Sequence, residues 1–349
     1  MEILGIKFAP LNVPLKRRLE TLSVTLWFFI MCFGPVLSFV IIGYLLFFTT
    51  TIRYYVLLYF LWMYYDWDTC NKGGRSTKLT NMMIKSRWIQ HVFDFFPVTL
   101  VKTTDLDPNR NYLLCNFPHG IYASGAVGSF QCESRGAKTL FPGLLPHVVA
   151  LYQMFKIPIF REIALAMDCI IGFVSSSEES LDYQLSTKPQ PPFIGRLIVL
   201  IVGGAGEVLE CSPGTNRIIV YQRKGFVRVA LKHGTPLIPS FSFRETDIFD
   251  QVKNPCLALV QQYCRKKLGC VPVILKGRGL FQYSYGFVPH RVPITTVVGS
   301  PIEIPKISHP TKEQINEYHK QFVEKLTELF ETHKYKYLPD ADSKHLEFV

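Results

Sequence analysis

The sequence predicts an α/β domain built on a mostly buried β-sheet and anchored by an N-terminal transmembrane or re-entrant helical hairpin. Three observations predict it. Residues 22–65 are almost wholly apolar and carry one charge, Arg53. Two short apolar runs, Tyr112 to Cys115 and Arg196 to Val202, each lead into a turn containing glycine, and runs this apolar suit strands covered on both faces. Segments of helical spacing alternate with such runs, which is the pattern of an α/β domain.

The N-terminal run sets where the chain works. A bilayer core takes about 20 apolar residues per helix, so the run can supply two passes or a hairpin that enters and returns. Lys16, Arg17 and Arg18 precede it, and Lys72, Arg75 and Lys78 follow it. Positive charge at both ends favours the cytosolic side for both, and both termini are expected there. Thr49 to Arg53 is the least apolar stretch and the expected turn, and Pro35 is placed to kink the first limb. The competing reading is one long tilted helix over Leu22 to Phe48 with the second half lying in the interface. The run is too long for a cleavable signal peptide, and its end at Trp62 to Trp67 is aromatic rather than small. The expected organisation is a cytosolic segment 1–21, a membrane hairpin 22–66, and a cytosol-facing, membrane-associated domain 67–349.

Composition narrows the chemistry. The formal charge is +11, with 48% hydrophobic, 14% aromatic and 19% charged residues. A nucleic-acid partner is not expected, because no zinc finger, recognition-helix pattern or aromatic-basic RNA motif accompanies the charge. An anionic membrane face or a polyanionic cosubstrate accounts for it more simply. Nine scattered cysteines without a CxxC pair fit a reducing compartment better than a disulfide framework. No HExxH pair or zinc-like spacing occurs, so no metal is expected.

Along the domain, residues 68–90 read as a polar membrane exit and a surface helix, followed by the bulky Phe93, Phe95 and Phe96. Tyr112 to Cys115 is the first strand expected, and Arg196 to Val202 the second. Arg223 to His233 has helical spacing closed by Gly234. Pro236 to Phe243 and Val271 to Leu275 are further strand candidates. Thr311 to His333 reads as an amphipathic C-terminal helix with Tyr318, Phe322, Leu326 and Leu329 on one face.

The strongest local signal is Asn116-Phe117-Pro118-His119-Gly120. It presents an imidazole at a strand end, where α/β domains place ligands, and an imidazole near neutrality suits general-base work on an alcohol. A polar histidine in a turn is the plain alternative. Gly203, Gly204 and Gly206 precede Glu207. Their exposed backbone N–H groups could serve an oxyanion or an anionic cofactor, and Glu207 could orient and charge-support His119. The tract is neither GxxxxGK nor GxGxxG, and a structural turn explains it equally well. Arg223, Lys224, Arg228 and Lys232 form a basic stripe, and Arg278 lies in Gly277-Arg278-Gly279. These are candidates for phosphate contacts, against the alternative of a solvated basic face. Ser124, five residues after His119, stands where an HxxxxD glycerolipid acyltransferase carries its aspartate. No GxSxG elbow marks a serine hydrolase.

Taken together, the landmarks resemble the diacylglycerol acyltransferase 2 family, which includes monoacylglycerol and wax-alcohol acyltransferases. The resemblance runs through Tyr64-Tyr65-Asp66-Trp67-Asp68, Phe96-Pro97, Arg110-Asn111-Tyr112, Pro118-His119-Gly120-Ile121, Phe141-Pro142-Gly143 and Arg161-Glu162. It continues through Val202 to Glu207, Arg223 to Val227, Gly277 to Phe281 and Pro293 to Gly299. It implies an acyltransferase-like fold at the endoplasmic-reticulum membrane, and at the lipid-droplet surface in one reading. It implies transfer of an acyl group from acyl-CoA to diacylglycerol, giving triacylglycerol. Monoacylglycerol or a long-chain alcohol is the alternative acceptor, and a non-catalytic lipid-binding member of the fold is the contrasting class. Acyl-CoA enters as cosubstrate with no bound cofactor, and a homo-oligomer is compatible with the resemblance. It implies His119 as catalytic base supported by Glu207, with Gly120, Gly203 and Gly204 around the oxyanion. Two positions depart from the family pattern. Phe117 stands where the first histidine of an HPHG tetrad is found, and Arg244 stands where the family commonly has the glycine of Phe-Gly-Glu. Glu245 is retained and is a second acidic candidate.

Overall fold

The computed structural model describes residues 2–10, 12–72, 86–131, 136–171 and 173–349. The flanking charges Arg75 and Lys78, and the pair Gly73-Gly74, lie outside the described residues.

Residues Leu15–Phe48 form α1 and Ile52–Tyr65 form α2. The break falls within the expected turn. Thr49 leaves the helix with extended backbone, its Oγ1 donates back to the Leu45 carbonyl at 2.5 Å, and Arg53 Nε donates to the Thr49 carbonyl at 2.7 Å. Pro35 lies inside α1 without ending it. Among the described residues, α1 is the one helix long and apolar enough to cross a membrane. The 14 residues of α2 rise only about 21 Å at 1.5 Å each, short of a ~30 Å hydrocarbon core. The first half of α1 packs on the domain, with Thr21, Val24, Thr25 and Phe28 buried. Further along, Phe39, Val40, Tyr44, Phe47 and Phe48 are exposed.

After α3 (Arg87–Phe95), capped by Ser86, the domain is a seven-stranded sheet between helical layers. Its strands are β1 (Val98–Lys102), β2 (Tyr112–Phe117), β3 (Leu144–Ala150), β4 (Phe173–Ser175), β5 (Gly195–Ile201), β6 (Leu237–Phe243) and β7 (Ile294–Val298). The spatial order is β1-β7-β6-β2-β5-β3-β4. Strands β2 to β6 run parallel, while β1 and β7 run opposite to them. The helices that follow are α4 (Ser124–Gln131), α5 (Phe160–Ile171), α6 (Glu178–Ser186), α7 (Gly204–Glu210), α8 (Gly225–His233), α9 (Pro255–Leu268) and α10 (Lys312–Tyr337).

Every residue of β2 is buried, as a strand covered on both faces requires. Leu113, Cys115 and Phe117 face a core with Phe226 of α8 and Phe322 and Phe330 of α10. Tyr112 and Leu114 face the opposite core with Ala126 and Phe130 of α4. The C-terminal helix starts on a reciprocal capping box between Thr311 and Gln314, which satisfies two orphan amides at once. Gly234 closes α8 at φ +66°, the left-handed cap that favours glycine.

One expected strand is absent. Of Val271 to Leu275, only Leu275 joins a ladder, a two-residue antiparallel pairing of Leu275–Lys276 with Asp250–Gln251 outside the main sheet. Pro272 lacks the N–H a ladder needs, and the following 277–291 segment forms an irregular loop held by an Arg278–Val288 bridge.

Two of the sequence landmarks meet at the base of α2. The fully buried Arg161 of α5 bonds the Asp66 carboxylate at 2.7 Å, the Asp66 carbonyl and Glu162. Tyr59 of α2 adds its hydroxyl to Glu162 and accepts from the Ile159 amide. Removing one partner of a buried ion pair leaves the other charge uncompensated and costs about 3–5 kcal/mol. Arg161→Ala is therefore expected to destabilise the protein by about that amount. Denaturant unfolding in detergent would measure it, and limited proteolysis should show new cleavage near Asp66.

Candidate active site

The site is built where β2 ends. Strands β5 and β6 flank β2 and run parallel to it, so all three chain ends emerge on one edge of the sheet. The loop after β2 carries His119, the chain after β5 carries Glu207 on α7, and the chain after β6 carries Glu245. Sheet topology thus gathers three residues that are distant in sequence.

The two carboxylates hold the histidine loop by its backbone. Glu207 Oε2 accepts from the His119 amide at 2.6 Å, and its Oε1 accepts from the Ile219 amide at 2.7 Å. Glu245 Oε1 accepts from the Ser124 amide at 2.7 Å, and its Oε2 accepts from the Gly125 amide at 2.6 Å, capping α4. Both carboxyl groups are buried. This corrects the expectation that Glu207 supports the imidazole directly: its oxygens grip peptide N–H groups. The His119 ring instead places Nδ1 3.2 Å from the Gly120 carbonyl. A carbonyl only accepts, so Nδ1 carries the proton and Nε2 keeps its lone pair. The ring is half-buried, and burial pushes its pKa below the ordinary histidine value.

The glycines have a steric role. A Cβ on Gly120, at φ +57°, would come 2.6 Å from Glu245, and one on Gly203 would come 1.9 Å from the Glu207 carboxyl carbon. Gly204 takes φ +57° where α7 begins.

The basic candidates do not gather in one place. Arg223 Nη2 donates to the Gly203 carbonyl at 3.4 Å, beside Glu207. Lys224 reaches Asn316, while Arg228 and Lys232 pair with Glu178 and Asp182 of α6. Arg278 lies between α1 and the 277–291 loop, bonded to Thr21 and Pro289. Sequence reasoning missed Arg265 of α9, whose Nη1 lies 3.8 Å from a Cβ position at Gly206, with Arg223 Nη2 3.6 Å away from that same position. Arg265 sits in a run of basic residues that closes α9 and has no motif of its own. The side chain of Asn116, fully buried under α4, accepts from Ser240 and Ser242.

Both departures from the family pattern have physical addresses. Phe117 points away from the His119 loop into the core, 6.3 Å ring to ring from Phe322. Arg244 takes φ +66°, where glycine is favoured, and is held by Asp247 at 3.0 Å.

The chain matches the family model described as diacylglycerol acyltransferase over residues 44–348. It is 39% identical to 2-acylglycerol O-acyltransferase 1 of Bos taurus, covering 97% of this chain and 98% of that protein. It is 40% identical to 2-acylglycerol O-acyltransferase 3 of Homo sapiens, with 91% of each covered. Against diacylglycerol O-acyltransferase 2 of Homo sapiens the identity is 37%, with 94% and 82% covered. Among solved structures, a 1-acyl-sn-glycerophosphate acyltransferase from Thermotoga maritima aligns at TM-score 0.35 and 14% identity, covering 78% of this chain and 93% of that one, a level that does not define a common fold. The chain belongs to the diacylglycerol acyltransferase family and is an O-acyltransferase.

Burial pushes the Glu207 carboxyl up to about 7, although its two amide donors and Arg223 pull it down, and burial pushes Glu245 up to about 8. Both values exceed the ordinary 4.5. Above that ordinary value the folded chain holds protons that the unfolded chain has released, so stability falls as pH rises through the window. Urea unfolding is expected to show the highest stability near pH 5 and a loss by pH 8. Glu245→Gln is expected to flatten that dependence. It should also cost about 1–3 kcal/mol at pH 5, because an amide NH₂ would face a backbone N–H.

Proposed function

We propose that this chain transfers a fatty acyl group from acyl-CoA to the hydroxyl of diacylglycerol, giving triacylglycerol and free CoA, with His119 as general base. The observation that carries this reading is the bonded Nδ1 of His119, which leaves Nε2 as an acceptor on a loop fixed by two carboxylates. The hydroxyl gives its proton to Nε2 as its oxygen bonds to the thioester carbonyl carbon. The resulting oxyanion is assigned to backbone N–H groups of Gly120, Gly203 and Gly204. Collapse breaks the C–S bond, and the CoA thiolate recovers the proton from the imidazolium. Glu207 and Glu245 act as positioning residues throughout.

Monoacylglycerol is the second reading for the acceptor, favoured by relatives named 2-acylglycerol O-acyltransferase at 39% and 40% identity.

The reaction is placed at the endoplasmic-reticulum membrane, with α1 and α2 as a hairpin entering from the cytosolic face. Two features support the hairpin. The first half of α1 packs on the domain, and the end of α2 is tied to the same domain through Asp66 and Arg161. Tags at both termini should be equally accessible to protease in sealed microsomes, and protection of one alone would reject this topology.

His119→Ala is expected to lower turnover by ~10²–10⁴-fold with the fold retained, the loss usual for a general base. The assay follows labelled acyl-CoA into glyceride with purified protein in lipid, and chromatography of the product names the acceptor. Normal turnover by a folded His119→Ala protein would remove the histidine from the mechanism. A parent protein that takes up lipid and releases no CoA would be a binder.

A further inference from the structure

The first turns of α1 and the 277–291 loop form the walls of an open cavity of about 700 Å³. Four arginines line it, Arg17, Arg18, Arg278 and Arg291, together with His290 and Tyr283. Nothing in the proposed acyl transfer at His119 uses this cluster.

Among the described residues, Arg278 and Arg291 are incompletely paired. The guanidinium carbons of Arg278 and Arg291 lie 5.5 and 4.4 Å from the centre of the same Phe95 ring. Arg291 Nη1 is 2.7 Å from Glu20, which Lys16 approaches at 4.0 Å while lying closer, at 3.5 Å, to Asp94. Arg291 Nη2 is buried with no hydrogen-bond partner among the described residues. Among the described residues, the side-chain hydrogen bonds of Arg278 are long ones to neutral oxygens, 3.3 Å to Thr21 and 3.4 Å to the Pro289 carbonyl. Burial and the charge of Arg291 push its pKa down. Two adjacent, partly desolvated cations facing a cavity call for an anion.

The chemistry and the size define that anion. Planar guanidinium forks match phosphate oxygens in pairs. The volume lies in the range of small-molecule sites and would leave an inorganic phosphate largely uncontacted, so the phosphate should carry an organic head. The cavity also lies in line with the catalytic loop. Thr21 marks the cavity on α1 and Cys32 lies further along the same helix, about 16 Å away at 1.5 Å per residue. Cys32 Sγ is 2.7 Å from the hydroxyl of Tyr122, three residues beyond His119. That separation is on the scale of an extended pantetheine arm.

We propose that this cavity binds the phosphate ester groups of the acyl donor's CoA head, while the thioester reaches His119. The proposal rests on the acyl-CoA reading above. A phospholipid headgroup offers the same phosphate chemistry from a second source.

The test uses the full chain in maltoside micelles. Calorimetry measures adenosine 3′,5′-bisphosphate binding, and a parallel series adds phosphatidylglycerol to the micelles. The variants are Arg278→Lys, which keeps the charge and loses the fork, and Arg17→Gln near the surface, whose melting temperature should match the parent. Binding of the bisphosphate is expected to weaken at least 10-fold in both, with a matching rise in KM for acyl-CoA. Arginine-dependent binding of phosphatidylglycerol alone would overturn the CoA assignment and give the site to a lipid. Parent-like binding of both ligands by both variants would overturn the site altogether. If bisphosphate binding depends on these arginines and the parent transfers no acyl group, the acyl-transfer reading fails and the cavity stands. If transfer is intact and both variants keep the parent KM, the cavity assignment fails alone.

Discussion

The grip of two buried carboxylates on one loop is the constraint on which the site depends. Glu207 and Glu245 reach the chain after β2 from its two neighbouring strands, and their four oxygens accept four backbone amides. Each contact is a charge-assisted hydrogen bond when the acid is ionised, and such bonds are short. The geometry demands close approach, and the glycines supply it. Gly120 and Gly125 leave room for Glu245, and Gly203 leaves room for Glu207. The glycine tract therefore serves first to admit a carboxylate. A general base needs a fixed bearing more than a strong partner, and a loop pinned at its amides provides one without spending the imidazole's own bonding capacity.

How much of this is legible in the sequence depends on distance along the chain. The strand-to-His119 transition, the apolar run with its turn between Thr49 and Arg53 and the amphipathic C-terminal helix are local patterns, and the structure bears them out. Glu207 is legible as an acid in a glycine turn, but the atom it binds is not, because that depends on β5 lying beside β2, which brings Glu207 to a residue 88 positions earlier in sequence. The stripe at Arg228 and Lys232 looks like a phosphate contact until α6 places Glu178 and Asp182 against it. Arg265 is invisible for the same reason: its proximity to Arg223 arises from tertiary packing. Val271 to Leu275 misleads because a short apolar run alone does not fix a sheet strand, and here Pro272 and Ile274 lie exposed in a loop.

The two departures from the family pattern differ in kind. Phe117 alternates with Asn116 along β2, so it faces the α8 and α10 core while Asn116 faces the polar cluster with Ser240, Ser242 and Thr296. A change there acts through packing of the aromatic core, including the Phe226–Phe322 contact at 5.0 Å. Arg244 instead occupies a left-handed turn immediately before Glu245. A side chain in that region carries a backbone cost of roughly 1–2 kcal/mol that glycine avoids, and the Asp247 contact offsets part of it. The first departure lies in the aromatic core beneath the sheet, and the second adjoins one of the two carboxylates that hold the His119 loop.

The N-terminal apolar helix and the loop that carries His119 are packed against each other. Phe28 of α1 packs edge-on against Tyr122 at 4.7 Å and against Phe249 at 5.2 Å. Cys32, one turn further on, meets the Tyr122 hydroxyl. Tyr122 shares a loop with His119, and Phe249 follows Glu245 closely in sequence. The apolar helix thus touches the segments that carry His119 and Glu245. Under the proposed mechanism, polar groups of the enzyme then need not be buried in lipid for a lipid hydroxyl to reach Nε2. The helix lies beside the loop, and its outer half exposes the aromatic and aliphatic surface along which the proposed acceptor would approach. An anchor attached elsewhere on the domain would hold the protein at a membrane equally well, but it would leave the acceptor hydroxyl and the imidazole in different phases.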